Sequence, residues 1–208
     1  MPFTFKQLLE KAASEKAPGP SPSFTILHLL LAMELIAEKE IGRNKLAESL
    51  GVGEGAIRTI LGRLKDAELV EISKTGCSLT DSGLRLWREY ASVLRKIPIG
   101  QNELALAKFN FAVLVKNCGE AVGSGMEQRD AAVMAGAKSA TTIRVKKGRL
   151  IIPSVSGDVA KDFPKAANQL ISLLHPREND VIVIGGSDSP RKAEHGALAA
   201  AWSLLNKC

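Results

Sequence analysis

Cysteine is scarce in this chain: three residues, Cys77, Cys118 and Cys208, among 208. They are far apart and odd in number, and none stands in a Cys-x-x-Cys or Cys-His cluster. That spacing excludes a zinc ribbon and a disulfide scaffold, and leaves reduced, buried thiols and a cytoplasmic location as the expectation. Long apolar runs are also missing. The most apolar stretch, Phe24 to Ala37, is too short to span a bilayer and contains His28 and Glu34. The opening residues Met1-Pro2-Phe3-Thr4-Phe5-Lys6 have no basic stretch ahead of an apolar one, so no signal peptide and no membrane partner are expected. No P-loop or dinucleotide fingerprint occurs, no Ser-His-Asp or metal spacing accompanies His28, His175 or His195, and no cofactor, metal or catalytic residue is expected. What remains is ordinary globular composition, 45% apolar and 24% charged, with 28 basic against 22 acidic residues. A surplus of +6 favours an anionic partner only weakly.

The chain breaks in two places. Thr4-Phe5-Lys6-Gln7 has the form of a capping box, and Phe5, Leu8, Leu9 and Ala12 share one face of a helix reaching about Lys16. Ala17-Pro18-Gly19-Pro20-Ser21-Pro22 ends it, and a second helix, capped by Ser21 or Ser23, runs to about Lys39. The other break is Lys96-Ile97-Pro98-Ile99-Gly100, which sets a domain boundary and predicts domains over 1–100 and 101–208.

Between the breaks the signals are dense. Ile41 to Leu50 reads as a short helix, Gly51-Val52-Gly53 as a turn, and Glu54 to Ala67 as a helix with Ile57, Ile60, Leu61 and Leu64 at helical spacing. Leu69 to Ile72 and Cys77 to Leu79 read as strands joined at Lys74-Thr75-Gly76, and Thr80-Asp81 opens a helix through Leu94 that carries Trp87, Tyr90 and Ala91. Helix, turn, helix, then a hairpin is the order of a winged helix-turn-helix. The segment Ile41–Asp81 resembles the winged-helix domains of bacterial and archaeal transcription regulators. The resemblance lies in Leu46-Ala47-Glu48-Ser49-Leu50-Gly51-Val52, Ala56 to Leu64, Ala67-Glu68-Leu69-Val70, and Leu79-Thr80-Asp81-Ser82-Gly83.

It implies duplex DNA as partner. Glu54, Gly55, Arg58 and Thr59 would face base edges, and Arg43, Lys45, Arg63, Lys65 and Lys74 would face phosphates. Gly53 and Gly55 stand where many such regulators have Ser or Thr and a larger residue. That departure points to modest base readout or to specificity carried by the wing and DNA shape. Trp87, Tyr90 and Leu94 either pack back on the domain or pair two copies as a homodimer.

The second half reads as strand 109–115, helix 126–135 closed by Gly136, strands 141–146 and 149–152 joined at Lys147-Gly148, helix 159–174 with Pro164 in its first turn or bending it, strand 180–184, and a last helix through Leu205. This order predicts an α+β protein overall: the winged helix, then a two-layer α/β sandwich, ferredoxin-like or of a related strand order. Gly185-Gly186-Ser187-Asp188-Ser189, with Arg191, lies ahead of that last helix. It is either an anion cradle of free N–H groups or a helix start capped by Ser189 with Pro190 in first place. Gln128-Arg129-Asp130 is either surface or a polar cluster able to clamp a carboxylate or phosphate.

With the first half, Gly125 to Ala132, Ala135-Gly136-Ala137, Ala140-Thr141-Thr142 and Gly148-Arg149-Leu150 make most of the chain resemble archaeal winged-helix regulators with an uncharacterised C-terminal domain. The expected function is therefore a DNA-binding transcription regulator, not an enzyme, whose second half senses a small-molecule effector or pairs subunits. The alternative is an enzyme of unknown reaction carried by the second half, with Arg129, Asp130 and His195 as its reactive groups.

Overall fold

A computed structural model describes residues 4–14, 22–205 and 207–208. The expected proline break over 17–22 and the caps and helix end at Lys16 and Ser21 lie, but for Pro22, outside the described residues. The chain divides between Ser92 and Val93 into two compact units, ahead of the boundary expected at residue 100.

The N-terminal unit is built from α1 (Thr4–Ala13), α2 (Ile26–Glu38), α3 (Arg43–Leu50), α4 (Glu54–Asp66), the hairpin β1 (Val70–Ile72) and β2 (Cys77–Leu79), and α5 (Asp81–Val93). Its core follows helical periodicity: Leu29, Leu30 and Met33 of α2, Leu46 of α3, and Ile57, Ile60, Leu61 and Leu64 of α4 are almost wholly buried. Each such side chain contributes about 1.5–3 kcal/mol through removal from water. The cap of α2 is Thr25 rather than Ser23: its backbone N–H donates to His28 Nδ1 at 3.0 Å. His28 is thus a capping partner inside an apolar helix. Thr4 opens α1 with its N–H donating to Glu89 Oε1 at 2.7 Å, in place of the expected capping box. The aromatic stripe of α5 turns partly inward. Tyr90 is buried edge-on against Phe5 at 5.5 Å, with Trp87 stacked on its other side at 4.9 Å.

The C-terminal unit holds a sheet of β3 (Leu94–Ile99), β4 (Phe109–Val115), β5 (Ser139–Lys146), β6 (Arg149–Ile151) and β7 (Val181–Ser187), in the order β3-β4-β7-β5-β6. Each of these neighbours pairs antiparallel. Its helices are α6 (Met126–Met134), α7 (Val159–Asp162), α8 (Pro164–Leu174) and α9 (Pro190–Leu204), with a 3-10 turn at Gly119–Ala121. Strand alternation places Ala112, Leu114, Ile143, Val145, Ile182 and Ile184 in one cluster with Ala167, Leu170 and Leu174 of α8. The opposite face of β4 and β7 packs on α9, and α6 packs on both α9 and β5.

Three expectations change here. A ferredoxin-like sheet sets the third strand of its β-α-β-β-α-β unit between the first two, whereas here the fourth, β7, stands between β4 and β5 with β6 outside, and helices cover both faces, so neither that strand order nor a two-layer stack is present. The Lys96–Ile99 segment is edge strand β3, in register with Ala112 and Val113, and Pro98 is tolerated because an edge strand has one free side. Cys118 and Cys208 form a disulfide across a separation of 90 residues. The close approach comes from tertiary structure, which cysteine spacing does not encode. Cys77 is free and buried, and burial pushes its thiol pKa up.

Local signals did translate at several turns. Lys147 and Gly148 both have left-handed φ, 54° and 70°, and close the β5–β6 hairpin. Their N–H groups donate to the Glu178 carboxylate at 2.8 and 3.0 Å. Pro164 stands first in α8 and splits the expected helix from α7 at Phe163.

Candidate nucleic-acid interface

α3 ends at Gly51, whose φ of 66° is left-handed, and the Val52 N–H returns to Ala47 O at 3.1 Å. The chain thereby reverses within Gly51-Val52-Gly53 and enters α4. One face of α4 is buried by Ile57, Ile60, Leu61 and Leu64; Glu54, Gly55, Arg58 and Thr59 are exposed on the other. The Thr59 hydroxyl donates to Gly55 O at 3.0 Å. A side chain at Gly55 or Gly62 would meet nothing within 4 Å. Two glycines inside a helix cost about 1 kcal/mol each relative to alanine, and here no packing among the described residues asks for them.

The charges at the head of α4 are coupled. Glu54 Oε1 lies 2.5 Å from Arg58 Nη2 and 3.8 Å from Arg43 Nη2, and all three side chains are well exposed. Pairs of this kind contribute about 0.3–0.5 kcal/mol, so a phosphate or a guanine can displace the carboxylate. Arg43 and Lys45 also line a groove of about 470 Å³ opposite Lys74 and Thr75 of the hairpin. The head of α3 therefore joins the head of α4 to the hairpin tip in one surface. Buried Ile41 ties the segment ahead of α3 to the hairpin, exchanging hydrogen bonds with Cys77 at 3.3 and 2.9 Å. Sequence reasoning missed Glu40, which accepts the Thr75 hydroxyl at 2.5 Å and the Ser73 hydroxyl at 3.3 Å and so braces the tip. Nothing in the local pattern signalled it, because the contact spans 35 residues.

One expected phosphate ligand is a structural residue. Arg63 is 9% exposed; its Nη1 donates to Ala12 O at 3.3 Å and Ala13 O at 2.7 Å, and its guanidinium lies 5.0 Å from the Phe24 ring centre. It caps the carbonyls at the end of α1 and does not face solvent. Lys65, on the last turn of α4, is exposed.

The residues expected to bind a ligand in the second half are dispersed. Gly185, Gly186 and Ser187 belong to β7 and are buried, so they form no loop. A Cβ on Gly185 would lie 2.6 Å from Ala197 N, and one on Gly186 2.7 Å from Ser139 Oγ, which accounts for the paired glycines by close packing. Ser187 donates to Gly136 O at 3.4 Å, Asp188 pairs with Lys138 at the surface, Ser189 precedes Pro190 at the start of α9 without a side-chain cap, and Arg191 is exposed. On α6, Gln128 is 1% exposed with Nε2 3.5 Å from Ser203 Oγ, while Arg129 and Asp130 face solvent. The triplet is thus split between core and surface. Among the described residues no group of three or more His, Cys, Asp or Glu is placed to hold a metal, and no helix is long and apolar enough to cross a membrane.

Residues 26–85 match the family described as "PH0730-like, N-terminal domain". Residues 106–204 match the family described as "Domain of unknown function (DUF4443)". Among solved structures, the hypothetical protein PH0730 from Pyrococcus horikoshii OT3 is similar over 89% of this chain and 95% of its own, with 23% identity and a TM-score of 0.71. It shares the fold. Partial likenesses extend to the activation domain of the phage T4 transcription factor MotA (19% identity, 43% of this chain, 87% of that one, TM-score 0.30) and to Lactococcus lactis ZitR in complex with DNA (23%, 42%, 68%, 0.29). Scores that low establish neither a shared fold nor a shared function. No curated protein matches the chain.

Proposed function

We propose that residues 41–81 are a winged helix-turn-helix, that the chain is a DNA-binding regulator rather than an enzyme, and that its C-terminal unit adjusts DNA binding through a small effector or a second copy of the chain. The observation that carries this reading is the exposed face of α4. It presents Gly55, Arg58 and Thr59 to solvent, beside a basic groove formed by Arg43, Lys45 and Lys74. A recognition helix presents its first turn to base edges while neighbouring cations fix register on phosphates. Arg58, once released by Glu54, can reach the guanine acceptors, and Thr59 a thymine methyl. The open glycines let a sugar-phosphate backbone approach the helix closely. A homodimer would set two such helices against paired half-sites, and an effector would act by favouring one spacing of them.

The test is binding of the full chain to a pool of random duplexes across a salt series. Selection of a motif by the wild type and its loss in Arg58→Ala is the expected result. One phosphate each for Arg43, Lys45, Lys65 and Lys74 gives a log–log salt slope of roughly −3.6, which Lys74→Ala should reduce by about 0.9. Glu54→Gln should raise affinity for all sequences by freeing both arginines. A wild type that binds no duplex even at low salt removes the reading.

A further inference from the structure

β5 turns its side chains alternately to the two faces of the sheet. Ile143 and Val145 enter the core with α8, which sends Thr142 and Arg144 to the other face, where α6 packs. Thr142 is 5% exposed and its Oγ1 has no hydrogen-bond partner; neither has the buried Nε of Arg144. Orphaned buried groups are few in native proteins, and two on adjacent same-face positions of one strand call for a shared partner. Both lie by the head of α6. A Cβ on its cap, Gly125, would stand 3.2 Å from Thr142 Cβ and 3.5 Å from Oγ1, and Gly125 has φ +83°. The first bond of that helix runs from Arg129 N–H to Gly125 O, so the N–H groups of Met126, Glu127 and Gln128 precede it; that of Met126 lies 3.4 Å from Ser124 Oγ.

Gly123, Ser124 and Arg144 line a cavity of about 570 Å³ together with Ile151, Pro153 and Val155. That volume lies in the usual range for small-molecule sites, roughly 300–1,000 Å³. A neighbouring cavity of about 460 Å³ shares Arg144 and Ile151 and adds Lys146, Lys147 and Arg149. Among the described residues no carboxylate lines either one. Three nearby acids are already paired: Glu127 with Lys207, Glu178 with the Lys147 and Gly148 N–H groups, and Asp158 with Arg149 of the second cavity at 3.9 Å.

We propose that Ser124, the head of α6, Thr142 and Arg144 form an oxyanion site that binds a phosphorylated small molecule. The helix head and the guanidinium hold the phosphate, as helix N-termini and arginine forks do. The lysines of the hairpin answer a second negative charge, which favours phosphate over a single carboxylate. The wall of Ile151, Pro153 and Val155 receives an apolar portion of the ligand. This rests on the reading that the C-terminal unit takes an effector, and it requires no DNA.

The test uses the full chain without DNA, titrated with inorganic phosphate, pyrophosphate and acetate at constant ionic strength, by calorimetry and by the shift in melting temperature. Both phosphates should raise the melting temperature, pyrophosphate more, and acetate should not. Arg144→Gln should weaken pyrophosphate binding about tenfold, the loss expected for one charge-assisted contact. Thr142→Val, which removes an unpaired hydroxyl and keeps the shape, should fold as well as wild type and bind more weakly, so it decides the matter if Arg144→Gln does not fold. Arg129→Ala, on the exposed side of α6, should bind as wild type. No shift with either phosphate, acetate as effective as phosphate, or both site variants binding as tightly as wild type overturns the proposal. Any of these outcomes leaves the duplex-binding experiment untouched.

Discussion

Glycine means opposite things in the two units. In α4 of the N-terminal unit, Gly55 and Gly62 have open space where a side chain would go. In the C-terminal unit, Gly185 and Gly196 have none: a Cβ at Gly196 would lie 2.4 Å from that of Ala137. The first pair leaves that face of α4 open. The second lets α9 settle onto β7 and against the end of α6 with Ala193, Ala197 and Ala200 as its buried stripe. Identical residues thus leave an open helix face in one unit and close a packing seam in the other, and only the neighbours distinguish them.

Perturbations should separate the units in the same way. The largest expected effect is reduction of Cys118–Cys208. A loop of this length predicts a loss of about 4 kcal/mol, confined to the C-terminal unit and read as a reductant-dependent fall in its denaturant midpoint. An N-terminal unit that fell equally would mean the two do not unfold separately. Gly185→Ala should come next, with a loss of about 2–3 kcal/mol from overpacking against Ala197 and Ala193. Gly62→Ala should do the reverse and stabilise the N-terminal unit by about 1 kcal/mol, while weakening duplex binding if the helix face meets a backbone. Equal signs for the two glycine variants would erase the contrast between the units.

The smallest effects are those of pH, and they fall at opposite ends of the scale. The Gly148 and Lys147 N–H groups hold the Glu178 carboxyl below its ordinary value. Burial raises that of Glu103, but the N–H groups of Ala166 and Lys165 outweigh it and leave it lowered. A carboxyl with a depressed folded pKa stabilises above its unfolded value of about 4.3, and that contribution disappears as pH falls through the folded value. The C-terminal unit should therefore weaken in acid, and Glu178→Gln should flatten the decline. Burial lowers the pKa of Lys6, against the opposing pull of Glu10. The unfolded chain then holds the proton more tightly, so the N-terminal unit should gain stability as pH rises toward the ordinary lysine value of about 10.4. Unfolding curves followed by separate probes in each unit would check both slopes.

The helices of the N-terminal unit were legible because their cores are written at local spacing: Ile57, Ile60, Leu61 and Leu64 needed no distant partner to be understood. Arg63 was not, since periodicity places it at the margin of that face and only the arrival of Ala12 and Ala13 turns it inward. In the C-terminal unit most strands and helices were legible, but β3 was hidden by Pro98, a residue that reads as a break unless the strand is at an edge. Gly185-Gly186 left open an anion cradle as well as a capped helix start, because sequence shows the absence of a side chain without showing what fills its place. The orphaned Thr142 and Arg144 left no mark at all, for an unpaired atom is defined by everything around it.

The position of β7 has a consequence in time. β7 stands between β4 and β5 and completes both, yet 65 residues of chain separate Val115 from Val181 in the numbering. Until Val181–Ser187 arrives, β4 and β5–β6 are fragments with raw edges and no common sheet, and the contacts that join them are distant in sequence. Pairings of that kind form slowly, and exposed edges invite association while they wait. The unit ahead of them also has distant contacts, Thr4 with Glu89 and Phe5 with Tyr90, but all of its residues are made before the sheet's. A nascent chain would on this account carry a finished N-terminal unit and an unfinished sheet, and the interval between them is where dilution, chaperones or a stabilising ligand would make the greatest difference to yield.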